Sequence, residues 1–132
     1  MPSESLNYSD WIKKVEDDLS WAIDSLGSGH YLGVCFLAQQ IVEKILKAYL
    51  LFKNQHLRKI HDLLTLLKMC QKFEEDFSQF ETSCADISQF YVESRYPDLQ
   101  FVASEKTATA ALQKAREIVD FVLSKINNSS SK

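Results

Sequence analysis

The sequence predicts an all-α fold, an up-and-down bundle of four to five helices, on three observations. Its 132 residues include only three glycines and two prolines while 45% are apolar, which suits long helices joined by short turns and suits a turn-rich β protein badly. The stretch from His30 to Lys53 has no proline and, beyond Gly33, no glycine, so nothing in it stops a helix. Farther on, Phe73, Phe77, Phe80, Cys84, Ile87, Tyr91 and Ser94 recur at alternating spacings of four and three, the seam of a helix packed along one side. A chain of this length fits one domain and buries roughly two thirds of its unfolded surface without staples. The bundle is expected over residues 9–126, with 1–8 a flexible N-terminus and the polar run 127–132 a flexible tail.

A first helix is expected to begin near Ser9 and Asp10, residues suited to an N-cap and first turn, and to run to about Leu26. Trp11, Val15, Leu19, Ala22, Ile23 and Leu26 supply its apolar stripe, and Gly27, Ser28 and Gly29 break it. The second helix, His30 to Lys53, is apolar nearly all round and should be the centre of the bundle. One narrow polar row crosses it, made of Gln39, Gln40, Glu43, Lys44 and Lys47, with Leu32, Phe36, Leu50 and Leu51 projecting beside it. Glu43 to Lys47 is an i,i+4 pair worth a few tenths of a kcal/mol if exposed, too little to explain five polar residues among leucines. The row fits a subunit interface, a ligand groove or a solvated edge.

A loop holding His56, Arg58, Lys59 and His61 follows, the chain's one basic cluster, which reads as a solvated turn or as a seat for a small anion. A short third helix should follow Asp62 with Leu63, Leu64, Leu67 and Cys70 on its core side. The fourth carries the phenylalanine seam and begins beside Glu74, Glu75 and Asp76, acidic residues that a helix N-terminus favours. It must stop at Arg95-Tyr96-Pro97-Asp98, because the residue before a proline is pushed out of the α region. Arg95 is then either a cation capping a helix end or a guanidinium placed for phosphate or carboxylate. A last helix should start after Ser104, with a stripe of Ala108, Ala111, Leu112, Ala115, Ile118, Val119, Val122 and Ile126.

Charge and cysteine usage limit the function. The formal charge of −3 and pI near 5.6 give no global positive field for nucleic acid, so any such contact would be local. Cys35, Cys70 and Cys84 each fall on an apolar helical position and read as buried thiols in a reducing compartment. No metal site, catalytic triad or cofactor-binding motif can be assigned from spacing, and no long apolar run or signal segment is present. A soluble, cytoplasmic protein without membrane association is expected.

Several residue runs together resemble the HEPN domain family. They are Trp11 and Leu19 in the first helix, Ala38-Gln39-Gln40-x-x-Glu43-Lys44-x-x-Lys47-Ala48, His61-x-Leu63, and Tyr91-x-x-x-Arg95-Tyr96-Pro97-Asp98. The resemblance implies a helical bundle, usually a homodimer. Many members accompany a minimal nucleotidyltransferase; others are metal-independent RNases, toxins of toxin–antitoxin pairs in particular, marked by an Arg followed four to six residues later by a His. That signature is missing here, since Arg95 is followed by Tyr96, Pro97, Asp98, Leu99, Gln100 and Phe101. Without the His no obvious general acid or base is supplied near neutral pH. The expectation is therefore a dimeric, non-catalytic binding module with a nucleotidyltransferase partner and nucleotide or RNA as its ligand. Its candidate contacts are Gln40, Glu43, Lys44, Lys47, His61, Arg95, Tyr96 and Asp98, and it needs no cofactor. The alternative is an RNase with a diverged centre built on Arg95 and a histidine such as His61.

Overall fold

The computed structural model describes residues 7–56, 59–93 and 103–130, with side chains throughout except at 91–93 and 129–130. The described residues form an all-α bundle of α1 (Tyr8–Gly27), α2 (Tyr31–Phe52), α3 (Leu63–Gln71), α4 (Glu81–Glu93) and α5 (Glu105–Ser130), with a 3₁₀ turn Glu75–Phe80 leading into α4.

Helix ends follow local chemistry. Asn7 caps α1 in a reciprocal box: its side chain accepts from the Asp10 amide at 3.0 Å, and the Asp10 carboxylate accepts from the Asn7 amide at 3.1 Å. Asp10 is thus inside the first turn, and the helix starts slightly earlier than expected. Both ends of the α1–α2 hairpin close in the same way. At the end of α1 the His30 amide reaches the Ser25 carbonyl at 2.9 Å, with Gly29 left-handed at φ +81°. At the end of α2 the Gln55 amide reaches the Leu50 carbonyl at 2.9 Å, with Asn54 at φ +60° in the glycine's role. Asp62 caps α3 through Thr65, and Ser104 caps α5 through the Thr107 amide at 3.0 Å.

Helix α2 is the centre, and each of the other four helices packs on it. From Val34 to Leu50 it is buried at every position but Phe36, Gln40 and Lys44. The α5 stripe from Ala108 to Ile126 is buried in full as expected, and its alanines let the two helices approach closely. An aromatic column locks the lower end. Tyr49 meets Phe77 at 4.7 Å between ring centres, and Phe121 of α5 meets both Phe77 and Phe80 edge-on at 5.0 Å. The Tyr49 hydroxyl donates to Glu74, whose carboxylate also pairs with Lys125 at 3.3 Å.

Four expectations need correction. The fourth helix does not begin at Phe73: the backbone at Glu74 is extended, the phenylalanines enter on the 3₁₀ turn, and α-helix starts only at Glu81. The spacing misleads because Phe77 and Phe80, three apart, share one side of a 3₁₀ turn as well as of an α-helix. Phe73 is left 41% exposed, against 0% for Phe77 and Ile87. On α1, Ile23 lies one residue past buried Ala22, so it is turned about 100° from the α2-facing line and is exposed. On α3, Leu66 is buried and Leu64 only half-buried. Finally α5 runs on through Asn127 and Asn128 to Ser130, beyond the expected end of the bundle.

Candidate functional site

The polar row of α2 resolves into one network and one separate pair. Gln39, Glu43 and Lys47, three successive i,i+4 positions, lie on one line of the helix and are all buried, with Gln39 only 1% exposed. Glu43 is the hub. One carboxylate oxygen accepts from the Gln39 amide at 3.3 Å; the other accepts from the Lys47 ammonium at 2.9 Å and contacts His61 Nδ1 at 2.9 Å. Gln40 Nε2 donates to Gln39 Oε1 at 2.6 Å and extends the chain toward the surface. Lys47 also lies over the ring of Trp11 from α1, 5.7 Å from its centre.

This geometry assigns the histidine's proton. An ionised carboxylate only accepts, so Nδ1 of His61 carries the hydrogen that faces Glu43, and Nε2 is left as the ring's second nitrogen. The His61 side chain is 55% exposed, so the network runs from a buried carboxylate to solvent. Buried ions need such partners: a charge left alone in this position would be strongly destabilising.

Four of the sequence candidates, Gln40, Glu43, Lys47 and His61, are therefore brought together. Lys44 is not among them; it bonds Asp18 of α1 at 2.6 Å and ties the hairpin together on another side of the helix. Arg95, Tyr96 and Asp98 lie outside the described residues. Two further participants were not among the candidate contacts: Gln39, read only as part of the polar row although its i,i+4 relation to Glu43 was a signal, and Trp11, which reads from sequence as a stripe residue of the first helix.

No group of three or more His, Cys, Asp or Glu side chains among the described residues is arranged to hold a metal ion. The three cysteines are free and buried, and burial pushes the Cys35 thiol up to about 11 and Cys84 to about 12, so neither is a ready nucleophile. No helix among the described residues is long and apolar enough to cross a membrane.

Among solved structures, the chain is similar to the archaeal HEPN homologue ST0689, with 28% identity and a TM-score of 0.76 over 92% of this chain and 98% of that one. It is likewise similar to TT1696 from Thermus thermophilus, with 30% identity and a TM-score of 0.78 over 89% of this chain and 97% of that one. No curated protein matches it significantly. The HEPN domain profile matches residues 8–126, from the first residue of α1 into the last turns of α5, and the chain belongs to the HEPN domain family.

Proposed function

We propose that this HEPN chain is a non-catalytic binding module, a homodimer that partners a minimal nucleotidyltransferase and helps to hold a nucleotide. The observation that carries the reading is the buried row itself. A bundle that served only as a scaffold would be at least as stable with apolar residues at Gln39, Glu43 and Lys47, because desolvating an ion pair offsets its attraction. Keeping them fixes His61 and Gln40 at the surface end of a rigid polar chain, which is what recognition of a polar ligand requires. The partner follows from the resemblance carried by Arg95-Tyr96-Pro97-Asp98, whose guanidinium would grip phosphate in two-pronged fashion.

Calorimetric titration with ATP and with a short RNA tests the ligand, on wild type and on Arg95→Lys. Binding that weakens severalfold in the variant, with an unchanged melt, is expected, since lysine cannot reproduce the planar fork. Absence of binding by wild type removes the nucleotide from the proposal and leaves the protein partner, which a pull-down from the native host addresses.

One observation favours a second reading, the diverged RNase. Glu43 holds His61 by Nδ1, the arrangement that orients an imidazole for general acid–base work with its other nitrogen. RNA cleavage that is lost in both His61→Ala and Arg95→Ala would establish it over the first.

A further inference from the structure

The basic loop after α2 belongs to a larger charge pattern that the network at Glu43 does not use. The twenty residues from Lys53 to Lys72 hold five of the chain's fifteen Lys and Arg but only one of its eighteen acidic residues, a formal +4 on a chain of −3. That one acid, Asp62, is engaged in capping α3 through Thr65. Lys59, Lys68 and Lys72 are all exposed, and none has an ion-pair partner among the described residues. Exposed cations elsewhere are mixed with acids; Lys13 and Lys14 of α1, for example, are followed by Glu16, Asp17 and Asp18.

An aromatic ring stands at the end of this basic strip. Thr65, Lys68 and Lys72 recur at three and four residues along the outward line of α3, and the two lysines are about 6 Å apart along its axis. Phe73 follows directly. Its ring is 41% exposed, and the Lys53 ammonium lies 5.9 Å from its centre. Lys53 also lies over Tyr49 and Phe52, at 5.7 and 5.6 Å, so three rings hold its charge beside Phe73. Acidic residues close the patch beyond that ring: Glu74 and Asp76 both pair with Lys125, and Glu75 is exposed. A cation in the last turn of α3 suits the helix dipole, but that effect fades within the turn and explains neither Lys59 nor an exposed ring among lysines.

From this juxtaposition we infer that the outer face of α3 binds single-stranded nucleic acid, with phosphates along Lys59, Lys68 and Lys72 and one base stacked on Phe73. The backbone needs positive charge free of local anions, and an unpaired base needs an exposed aromatic face. An acidic peptide offers the charge without a flat ring to stack. The rest of the chain, formally −7, repels a polyanion from the other faces and confines the contact to this one. The site is separate from the nucleotide proposed at Arg95 and needs neither that ligand nor a partner protein.

The test is fluorescence anisotropy of the full chain with a labelled short oligouridylate and, separately, oligothymidylate, with salt varied from about 50 to about 200 mM. Three phosphate contacts predict a slope of about −2 for log affinity against log salt, since each contact on a single strand contributes about 0.7. Lys68→Ala and Lys72→Ala together should bring the slope to about −0.7. Phe73→Ala should leave the slope unchanged and weaken binding at least about fivefold, the loss of one stacked base. All three positions are exposed, and thermal melts confirm that the variants fold. The oligomer that binds tighter identifies RNA or DNA as the source. The inference is overturned if wild type binds neither oligomer or if the paired lysine variant keeps the wild-type slope. It is also overturned if an oligoglutamate peptide competes equally and Phe73→Ala has no effect, which would make an acidic protein the partner. Binding that Arg95→Lys weakens while the α3 variants leave it intact would likewise overturn it and place the strand at Arg95.

Discussion

Glu43 and Lys44 are neighbours of opposite charge whose environments give them different weights. Glu43 is 7% exposed and serves three partners, so Glu43→Ala strands a buried ammonium and should cost about 3–5 kcal/mol. Lys44 is partly exposed and has water as an alternative partner, so Lys44→Ala should cost less than about 1 kcal/mol despite its short 2.6 Å bond to Asp18. Denaturant melts of the two variants check the contrast, and equal losses would mean that the Glu43 network is more hydrated than its burial indicates. The thiols give a pH effect of definite sign. Burial raises Cys35 from 9.0 to about 11, and burial with the Asp62 charge raises Cys84 from 9.0 to about 12. The folded chain therefore holds more protons than the unfolded chain above pH 9.0. Stability is full below that point and falls as pH climbs toward 11 and 12, by up to about 1.4 kcal/mol per pH unit for each thiol. Melts at about pH 8 and about pH 10.5 should show the decline, and Cys35→Ala should lessen it without removing it, since Cys84 remains; an undiminished slope would refute the assignment.

At the scale of the element, the phenylalanine seam tests the register. Phe80→Ala and Ile87→Ala each remove a buried side chain and should destabilise by about 2–5 kcal/mol, whereas Phe73→Ala, at an exposed position, should cost less than about 1 kcal/mol. Thermal melts of all three decide it, and a large loss at Phe73 would restore the single long helix. The same seam shows where sequence stops being legible. A hydrophobic spacing of three or four records which side of the chain is buried, and on that count Phe77, Phe80, Cys84 and Ile87 were readable. It does not record whether the backbone between them is α or 3₁₀, because that choice rests on the extended residue at Glu74 and its tie to Tyr49 and Lys125, both distant in sequence. The α5 stripe was fully legible because one long, uninterrupted helix meets one partner. Half of the candidate site was legible for the related reason that Glu43 and Lys47 share a helix, while the bond to His61 crosses eighteen residues and a loop.

At the scale of the molecule, the homodimer that the HEPN resemblance implies would have as one candidate interface the side of α2 where Leu32, Phe36, Leu50 and Leu51 project beside the polar row. The bundle itself covers part of that surface. Leu50 is fully buried and Phe36 half-buried, which leaves Leu32 at 40% and Trp21 of α1 at 63% as the larger exposed apolar residues on this hairpin, with Ile23. We still expect a homodimer in sedimentation at micromolar concentration, with Leu32→Asp shifting it toward monomer. A wild-type species of 15.2 kDa alone would end that proposal. The central place of α2 also governs how the molecule comes apart. Because all four other helices rest on it, no one of them can detach and leave its amides open to water. Isotope exchange between Val34 and Tyr49 must therefore wait for the whole bundle to open, and its rate gives the global unfolding equilibrium directly. Amides of α1, which leans on little besides α2, exchange by a cheaper, local route.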